Sequence, residues 1–150
     1  MSVREPPRAA TSGPTRVARV ASRHELGRLG EDLAASHLAR LGCAILARNV
    51  RTATGEIDLI AFDARHSALV FVEVKTRRVP AGARRVRPDQ EPLQRLRAPQ
   101  RARLRRLACA WLSEPTRRRP SARTIRFDAI GVILDARGRL LRLDHVEGAW

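Results

Sequence analysis

Apolar residues recur at a helical period in two segments of the chain. In the first segment five leucines follow this period, namely Leu26, Leu29, Leu33, Leu38 and Leu41. Gly42 follows them as a C-terminal stop, so the pattern predicts a helix over residues 24–41. In the second segment four apolar residues form one stripe: Leu104, Leu107, Ala108 and Trp111. This stripe predicts a helix through QRARLRRLACAWL, with Pro99 in its first turn.

Shorter apolar runs between and after these helices predict five strands. The first predicted strand is CAILARNVR. The next two are EIDLIAF and ALVFVEVKT, which are joined to each other by a loop over residues 64–67. The last two strands come after the second helix and form a hairpin across DARG; they are RTIRFDAIGVIL and RLLRLDHV. The element order αβββαββ therefore predicts an α/β protein with a mixed β-sheet flanked by helices.

The length of 150 residues, 43% of them hydrophobic, predicts one domain. We expect that domain to span residues 24–150, after a disordered basic tail over residues 1–23. The segment VPAGARRVRPDQEP, residues 79–92, contains three prolines and no periodicity, and we expect it to be a mobile loop.

The apolar runs are far shorter than the roughly 20 residues that a membrane-spanning helix needs. The N-terminus has arginines and prolines where a secretory signal has an apolar stretch. These features predict a soluble, cytoplasmic protein with no membrane partner. Cys43 and Cys109 are both expected to be buried thiols in a reducing compartment.

Positive charge is concentrated in part of the chain. The formal net charge is +15, and residues 77–126 alone hold sixteen arginines against three acids. Such a stretch favours binding to nucleic-acid phosphates, although an arginine-biased genome filling exposed positions is the alternative. With only three Phe, two Trp and no Tyr, we expect DNA to be bound through its backbone and shape. The predicted contact residues are Arg77, Arg78, Arg101, Arg103, Arg105 and Arg106.

Charged residues interrupt the second and third predicted strands. In a strand successive side chains face opposite sides, so Glu73 and Lys75 share one face of their strand, and Glu56 and Asp58 likewise share a face of theirs. Antiparallel pairing across the loop at 64–67 places Asp58 opposite Glu73 and Glu56 opposite Lys75. Adjacent carboxylates repel unless a proton or a cation lies between them, and Mg²⁺ or Mn²⁺ bound to one or two carboxylates fits best. This chemistry suggests hydrolysis of a phosphodiester.

Lys75 is the one lysine among thirty basic residues. The lysine ammonium group is a compact point charge that can approach a water or a phosphoryl oxygen, whereas arginine spreads its charge over a rigid, planar guanidinium group. We therefore assign Lys75 to positioning the water and stabilising transition-state charge, with Glu56 as its support. The alternative is that Glu73 and Lys75 form an ordinary surface ion pair on an edge strand, with Asp58 as a helper.

These residues resemble the D…E-x-K motif of restriction-endonuclease-like nucleases. A longer stretch of the chain resembles the uncharacterised protein family 0102 of bacteria, the YraN-like proteins, through the segments GRLGEDLAASHLARLG…ARNVR…GEIDLIA…LVFVEVKTRR. The members of that family are predicted to be akin to Holliday-junction resolvases. The resemblance implies a restriction-endonuclease-like core and Mg²⁺ dependence. It also implies that Glu31 joins Asp58, Glu73 and Lys75 at the metal.

The leading hypothesis is thus a metal-dependent endonuclease acting on structured or branched DNA. Two other classes stay open: a non-catalytic nucleic-acid-binding protein that retains the fold, and an interaction protein whose arginines bind an acidic protein. The oligomeric state is also open, with a homodimer among the options. Asp128 is expected to have a structural role at a strand end. None of the four histidines has metal-ligand spacing, and all are expected to be packing or surface residues: His24, His37, His66 and His145.

Overall fold

The computed structural model describes residues 22–83 and 85–150, so the predicted tail lies outside the described residues except for its last two positions. Of those two positions, Arg23 begins helix α1, Arg23–Arg40, and Ser22 is its N-cap. The backbone N–H of Glu25 donates to Ser22 Oγ, and the Glu25 carboxylate accepts from the Ser22 N–H, which forms a capping box. Helix α2, Ala98–Leu112, has Pro99 in its first turn. Both predicted helices are confirmed.

The five predicted strands are also present, and they form one sheet in sequence order. They are β1 Cys43–Thr52, β2 Gly55–Asp63, β3 Ala68–Arg78, β4 Thr124–Leu134 and β5 Leu140–Val146. The sheet is mixed, because β3 and β4 are parallel and the other neighbouring pairs are antiparallel. A parallel pair needs a crossover connection, which α2 provides. The α/β fold class and the element order αβββαββ are therefore confirmed.

The two helices cover opposite faces of the sheet, each over its own apolar core. The α1-side core contains Ala34, Leu38, Val70, Val72 and Val74. The α2-side core contains Leu69, Phe71, Leu104, Leu107 and Trp111. The regular alternation predicted along β3 is thus observed, and the α2 stripe is buried as expected. Because β3 is an inner strand buried on both faces, charged groups on it are costly to bury and need partners.

Two of the leucines with helical spacing, Leu29 and Leu41, are exposed, because α1 turns its small residues Gly30, Ala34 and Ala35 towards the sheet instead. One prediction about buried side chains is wrong: Cys109 is exposed, since the stripe of α2 that faces the sheet passes through its neighbour Ala108. Cys43 is buried as predicted, and burial raises the pKa of its thiol.

The segment over residues 79–92 contains a short 3₁₀ helix, Pro88–Gln90, and a second one follows it at Pro92–Arg95. Pro92 and Leu93 pack over Gly131 of β4, where an added Cβ would lie 2.8 Å from Pro92 Cγ. The end of this segment therefore lies against the sheet, while the mobility of the rest stays a prediction. In the described part of the chain, no helix is long and apolar enough to cross a membrane.

Candidate active site

The pairing of β2 with β3 ends where the acids begin. Asp63 lies opposite Ala68, and the same register continues as far as Leu59 and Val72. This register is the predicted one, so Asp58 and Glu73 are next in line on the two strands. The β2–β3 ladder of backbone hydrogen bonds does not continue to this pair. Asp58 Oδ2 accepts a hydrogen bond of 2.7 Å from the backbone N–H of Val74. The Asp58 carboxylate thus enters the space between two diverging strands.

The pairing of β1 with β2 is interrupted at the same place. Arg48 pairs with Leu59 and Val50 pairs with Ile57, while Asn49 and Asp58 between them are skipped. Ile57 and Ile60 both pack in the α2-side core although they are three residues apart. Regular alternation therefore does not run through Asp58, and the shared face of Glu56 and Asp58 stays a prediction.

Glu73 and Lys75 lie on the α2 side of β3, beyond Phe71. Lys75 Nζ donates to Glu73 Oε1, and the Glu73 carboxylate is buried while the lysine side chain is about one third exposed. An ion pair on an inner strand differs from the edge-strand surface pair that the sequence left open. Burial, and then the nearby charge of Glu73, raise the pKa of Asp58 to about 7. Two carboxylates therefore share a poorly solvated space with one ammonium group.

Glu31 approaches Asp58 from α1, and its charge contributes to the raised pKa of Asp58. An added Cβ at Gly30 would lie 1.8 Å from Thr76 Oγ1, so glycine is what allows the helix to contact β3 here. Glu31 Oε2 accepts a hydrogen bond of 2.8 Å from Asn49 Nδ2. Burial and the neighbouring Glu56 raise the pKa of Glu31. We call Glu31, Asp58 and Glu73 the acid cluster.

Gly30→Ala is expected to destabilise the protein by about 1–3 kcal/mol and to displace Glu31, because the new methyl group collides with Thr76. The matched control is Gly27→Ala on the same helix, where nothing lies within 4 Å of an added Cβ. That change should stabilise the helix by up to about 1 kcal/mol. Urea unfolding of both variants measures the difference, and equal stabilities would contradict the close contact at Gly30.

Glu56 is the predicted site residue that does not reach its expected partner. Its carboxylate lies 3.4 Å from Arg51 Nε across the β1–β2 hairpin, while Lys75 is bonded to Glu73. The cause is the interruption at Asp58, which turns the start of β2 away from β3. Glu56 instead acts on Glu31, whose pKa it helps to raise.

Arg77 and Arg78 lie beside the acid cluster. They line an open groove of about 620 Å³ between α1 and the end of β3, together with Arg23, Glu31 and Thr76. The groove therefore places three guanidinium groups next to one acid of the cluster. This arrangement suits a polyanion that approaches the acids from the α1 side.

The α2 arginines lie on the other side of the sheet, and all four are exposed. Arg101 and Arg105 lie over aromatic rings, with Cζ 5.9 Å from the centroid of Trp150 and 6.0 Å from that of Phe127. The Arg103 guanidinium packs against Gly55 at the β1–β2 turn. The predicted nucleic-acid contacts thus form two groups, one around the groove and one along α2.

Asp128 belongs to a separate buried network. Arg126 donates two hydrogen bonds to it, and His145 Nε2 and the Gly148 N–H complete its contacts. Burial opposes ionisation, but the hydrogen bonds from His145 and Arg126 lower the pKa of Asp128 overall. A fully buried carboxylate with these partners is structural, in agreement with the expectation. His145 also contacts His37 of α1 at 3.2 Å, which accounts for two of the histidines as packing residues.

The Asp58–Glu73 pair has donors that fit a hard divalent cation. Among the described residues, no three His, Cys, Asp or Glu side chains are already gathered around one cation position. Asp58 and Glu73 nevertheless supply the one or two carboxylates by which Mg²⁺ is typically bound, and a cation between them would offset the burial and the repulsion by Glu73 that raise the pKa of Asp58. These two residues would hold such a cation, with Glu31 at the edge of the site.

The fold and the cluster define a mixed α/β protein with acids and one lysine where two central strands diverge. A family model described as "Uncharacterised protein family UPF0102" matches residues 30–132. A UPF0102 protein of Streptomyces griseus is 43% identical over 127 residues, which cover 85% of this chain and 97% of that protein. One from Acidothermus cellulolyticus is 42% identical over 137 residues, covering 86% of this chain and 96% of that protein. The chain belongs to the UPF0102 family.

Proposed function

We propose that this protein is a divalent-metal-dependent endonuclease with a restriction-endonuclease-like core, which hydrolyses phosphodiester bonds in structured or branched DNA. The observation that carries the proposal is the Asp58–Glu73 pair, in which burial and then the charge of Glu73 raise the pKa of Asp58 to about 7, with Lys75 bonded to Glu73. A protein that only bound phosphates would gain nothing from carboxylates facing them. Mg²⁺ or Mn²⁺ held there supplies Lewis-acid stabilisation of charge on the phosphoryl group.

The residues of the chain divide the remaining work. Glu73 holds the Lys75 ammonium group in place, so that its charge is fixed before DNA arrives. Lys75 then orients a water towards the phosphorus and stabilises the charge that develops in the transition state. The Val74 N–H fixes one oxygen of Asp58, which leaves the other oxygen free to serve as a ligand.

Binding energy comes from arginines outside the acid cluster. Arg77 and Arg78 contact the backbone of the strand to be cut, because they border the groove that contains Glu31. The α2 arginines contact phosphates farther along the DNA. Both sets of contacts are independent of sequence, which is consistent with recognition of DNA shape.

The proposal is tested with purified protein and labelled duplex, single-stranded, flapped and four-way-junction DNA. We expect cleavage of at least one structured form in Mg²⁺ or Mn²⁺ and no cleavage in chelator. Binding without cleavage of any form in either metal would favour the non-catalytic alternative. Parallel reactions with RNA of the same shapes define the substrate class.

Replacing Arg103, Arg105 and Arg106 together by Gln is expected to weaken binding to all DNA sequences alike. If each contacts one phosphate, the slope of log K against log salt should become shallower by up to about three units. Fluorescence anisotropy at several salt concentrations measures the slope. Thermal melting of the same variant checks the loss of the Arg105 contact with Phe127, which should cost only about 0.5–1 kcal/mol.

The control for this variant removes the same charge elsewhere. Arg40, Arg65 and Arg137 are exposed and lie at the end of α1, in the β2–β3 loop and in the β4–β5 loop. Their replacement by Gln should change the salt slope by clearly less. Equal slopes in the two triple variants would show that net charge, and not a surface along α2, governs binding.

A further inference from the structure

Asn49 has an unusual backbone conformation for a residue inside a strand. Its φ is +48°, in the left-handed region that few non-glycine residues adopt, although Asn is among the most tolerant. It lies at the skipped position opposite Asp58, where the β1–β2 ladder is interrupted. Strain of this kind in the interior of a strand persists only when its surroundings require it, and it is common at functional sites.

The conformation lets two consecutive residues of β1 bond to two consecutive residues of α1. Arg48 Nη1 donates to Asp32 Oδ1 at 2.6 Å, and Asn49 Nδ2 donates to Glu31 Oε2 at 2.8 Å. In a regular strand neighbouring side chains face opposite sides, so they could not both reach one helix. The break at Asn49 is therefore what allows its amide to reach Glu31.

Glu31 needs a partner of this kind. Burial disfavours the charge of its carboxylate, Glu56 and Asp32 repel it, and His24 and Arg28 attract it. The amide of Asn49 is a neutral donor, so it can hold one oxygen of Glu31 without neutralising the carboxylate. The other oxygen then stays available to a cation.

We propose that Asn49 is a positioning residue, which fixes the Glu31 carboxylate at the edge of the Asp58–Glu73 cation site. This role rests on the proposed function, because it requires that the acid cluster binds a metal. Hydrogen-bonding partners of ligating side chains typically contribute 10–100-fold to metal affinity. The sequence carried a signal for this residue, since Asn is disfavoured within strands.

The test variant is Asn49→Gly, which keeps the left-handed backbone accessible and removes only the amide. We expect its melting temperature in chelator to stay close to that of wild type. The Mn²⁺ concentration that gives half of the metal-induced rise in melting temperature should increase at least 10-fold. Arg48→Gln is the matched control, because it removes the neighbouring bond to Asp32, and its Mn²⁺ midpoint should stay within about twofold.

A double-mutant cycle separates positioning from a general structural effect. If Asn49 acts through Glu31, adding Asn49→Gly to Glu31→Gln should leave the Mn²⁺ midpoint of the single Glu31→Gln variant unchanged. An unchanged midpoint in Asn49→Gly alone, or an equal shift in both backgrounds, would overturn the assignment. Metal stabilisation without DNA cleavage would overturn the nuclease proposal and leave the role of Asn49 standing. No metal response in wild type would overturn both.

Discussion

Lys75→Ala and Glu73→Gln are each expected to lower the rate of metal-dependent DNA cleavage by at least about 10²-fold. The first removes the ammonium charge from the site, and the second removes both a cation ligand and the group that holds Lys75. DNA affinity should stay within a few-fold of wild type, because it comes from arginine contacts to phosphate. Single-turnover cleavage and anisotropy binding, measured on the same preparations, separate the two effects.

Lys75→Arg sharpens this prediction. The positive charge is retained, but a planar guanidinium group replaces the compact ammonium group in a partly buried position beside Glu73. We expect this variant also to be severely impaired, and full activity in it would contradict the role assigned to Lys75. Glu114→Gln is the control for the loss of an acid, since Glu114 is exposed and pairs with Arg117 far along the chain from the cluster.

Asp58→Asn is expected to stabilise the metal-free protein at pH 8. The pKa of Asp58 is raised from 3.8 to about 7 in the folded state, chiefly by burial and then by Glu73. A raised carboxyl pKa contributes stability that is fully present below pH 3.8 and is lost as the pH rises through 7. Ionised Asp58 therefore weakens the fold at pH 8 by on the order of a few kcal/mol, and asparagine removes that effect while still accepting from Val74.

Urea unfolding in chelator at pH 5 and pH 8 measures this effect. The gain from Asp58→Asn should be larger at pH 8 than at pH 5. Asp63→Asn is a control of opposite sign, because hydrogen bonds from His66 and Arg126 outweigh the effect of burial and lower its pKa to about 2. Its stabilising contribution is present above pH 3.8, so its loss should destabilise the protein at both pH values. A destabilised Asp58→Asn variant at pH 8 would make Asp58 a structural acid and remove it from the site.

Local patterns were sufficient to predict the elements and their order. The alternation of Val70, Val72 and Val74 against Leu69 and Phe71 depends only on the two faces of β3, so it could be read from the sequence. The register of β2 with β3 followed from the length of one loop. The proximity of Asp58, Glu73 and Lys75 followed from that register.

The interruption at Asp58 could not be predicted in this way. It depends on contacts between distant parts of the chain, namely the bond from Val74 and the approach of α1 that Gly30 permits. Glu56 was misplaced for this reason, since alternation was extended through a position where it fails. The exposed Cys109 shows a related limit, because its apolar neighbours indicate burial while the rotation of α2 points it outward.

The central claim is that the carboxylates where β2 and β3 diverge bind a divalent cation. Calorimetric titration of Mn²⁺ into the protein without DNA tests it most directly, with Asp58→Asn and Asp128→Asn titrated alongside. We expect one binding event in wild type, its loss or severe weakening in Asp58→Asn, and its retention in Asp128→Asn, whose carboxylate belongs to the separate network with Arg126. No binding at millimolar Mn²⁺, or the same affinity in wild type and Asp58→Asn, would contradict the claim.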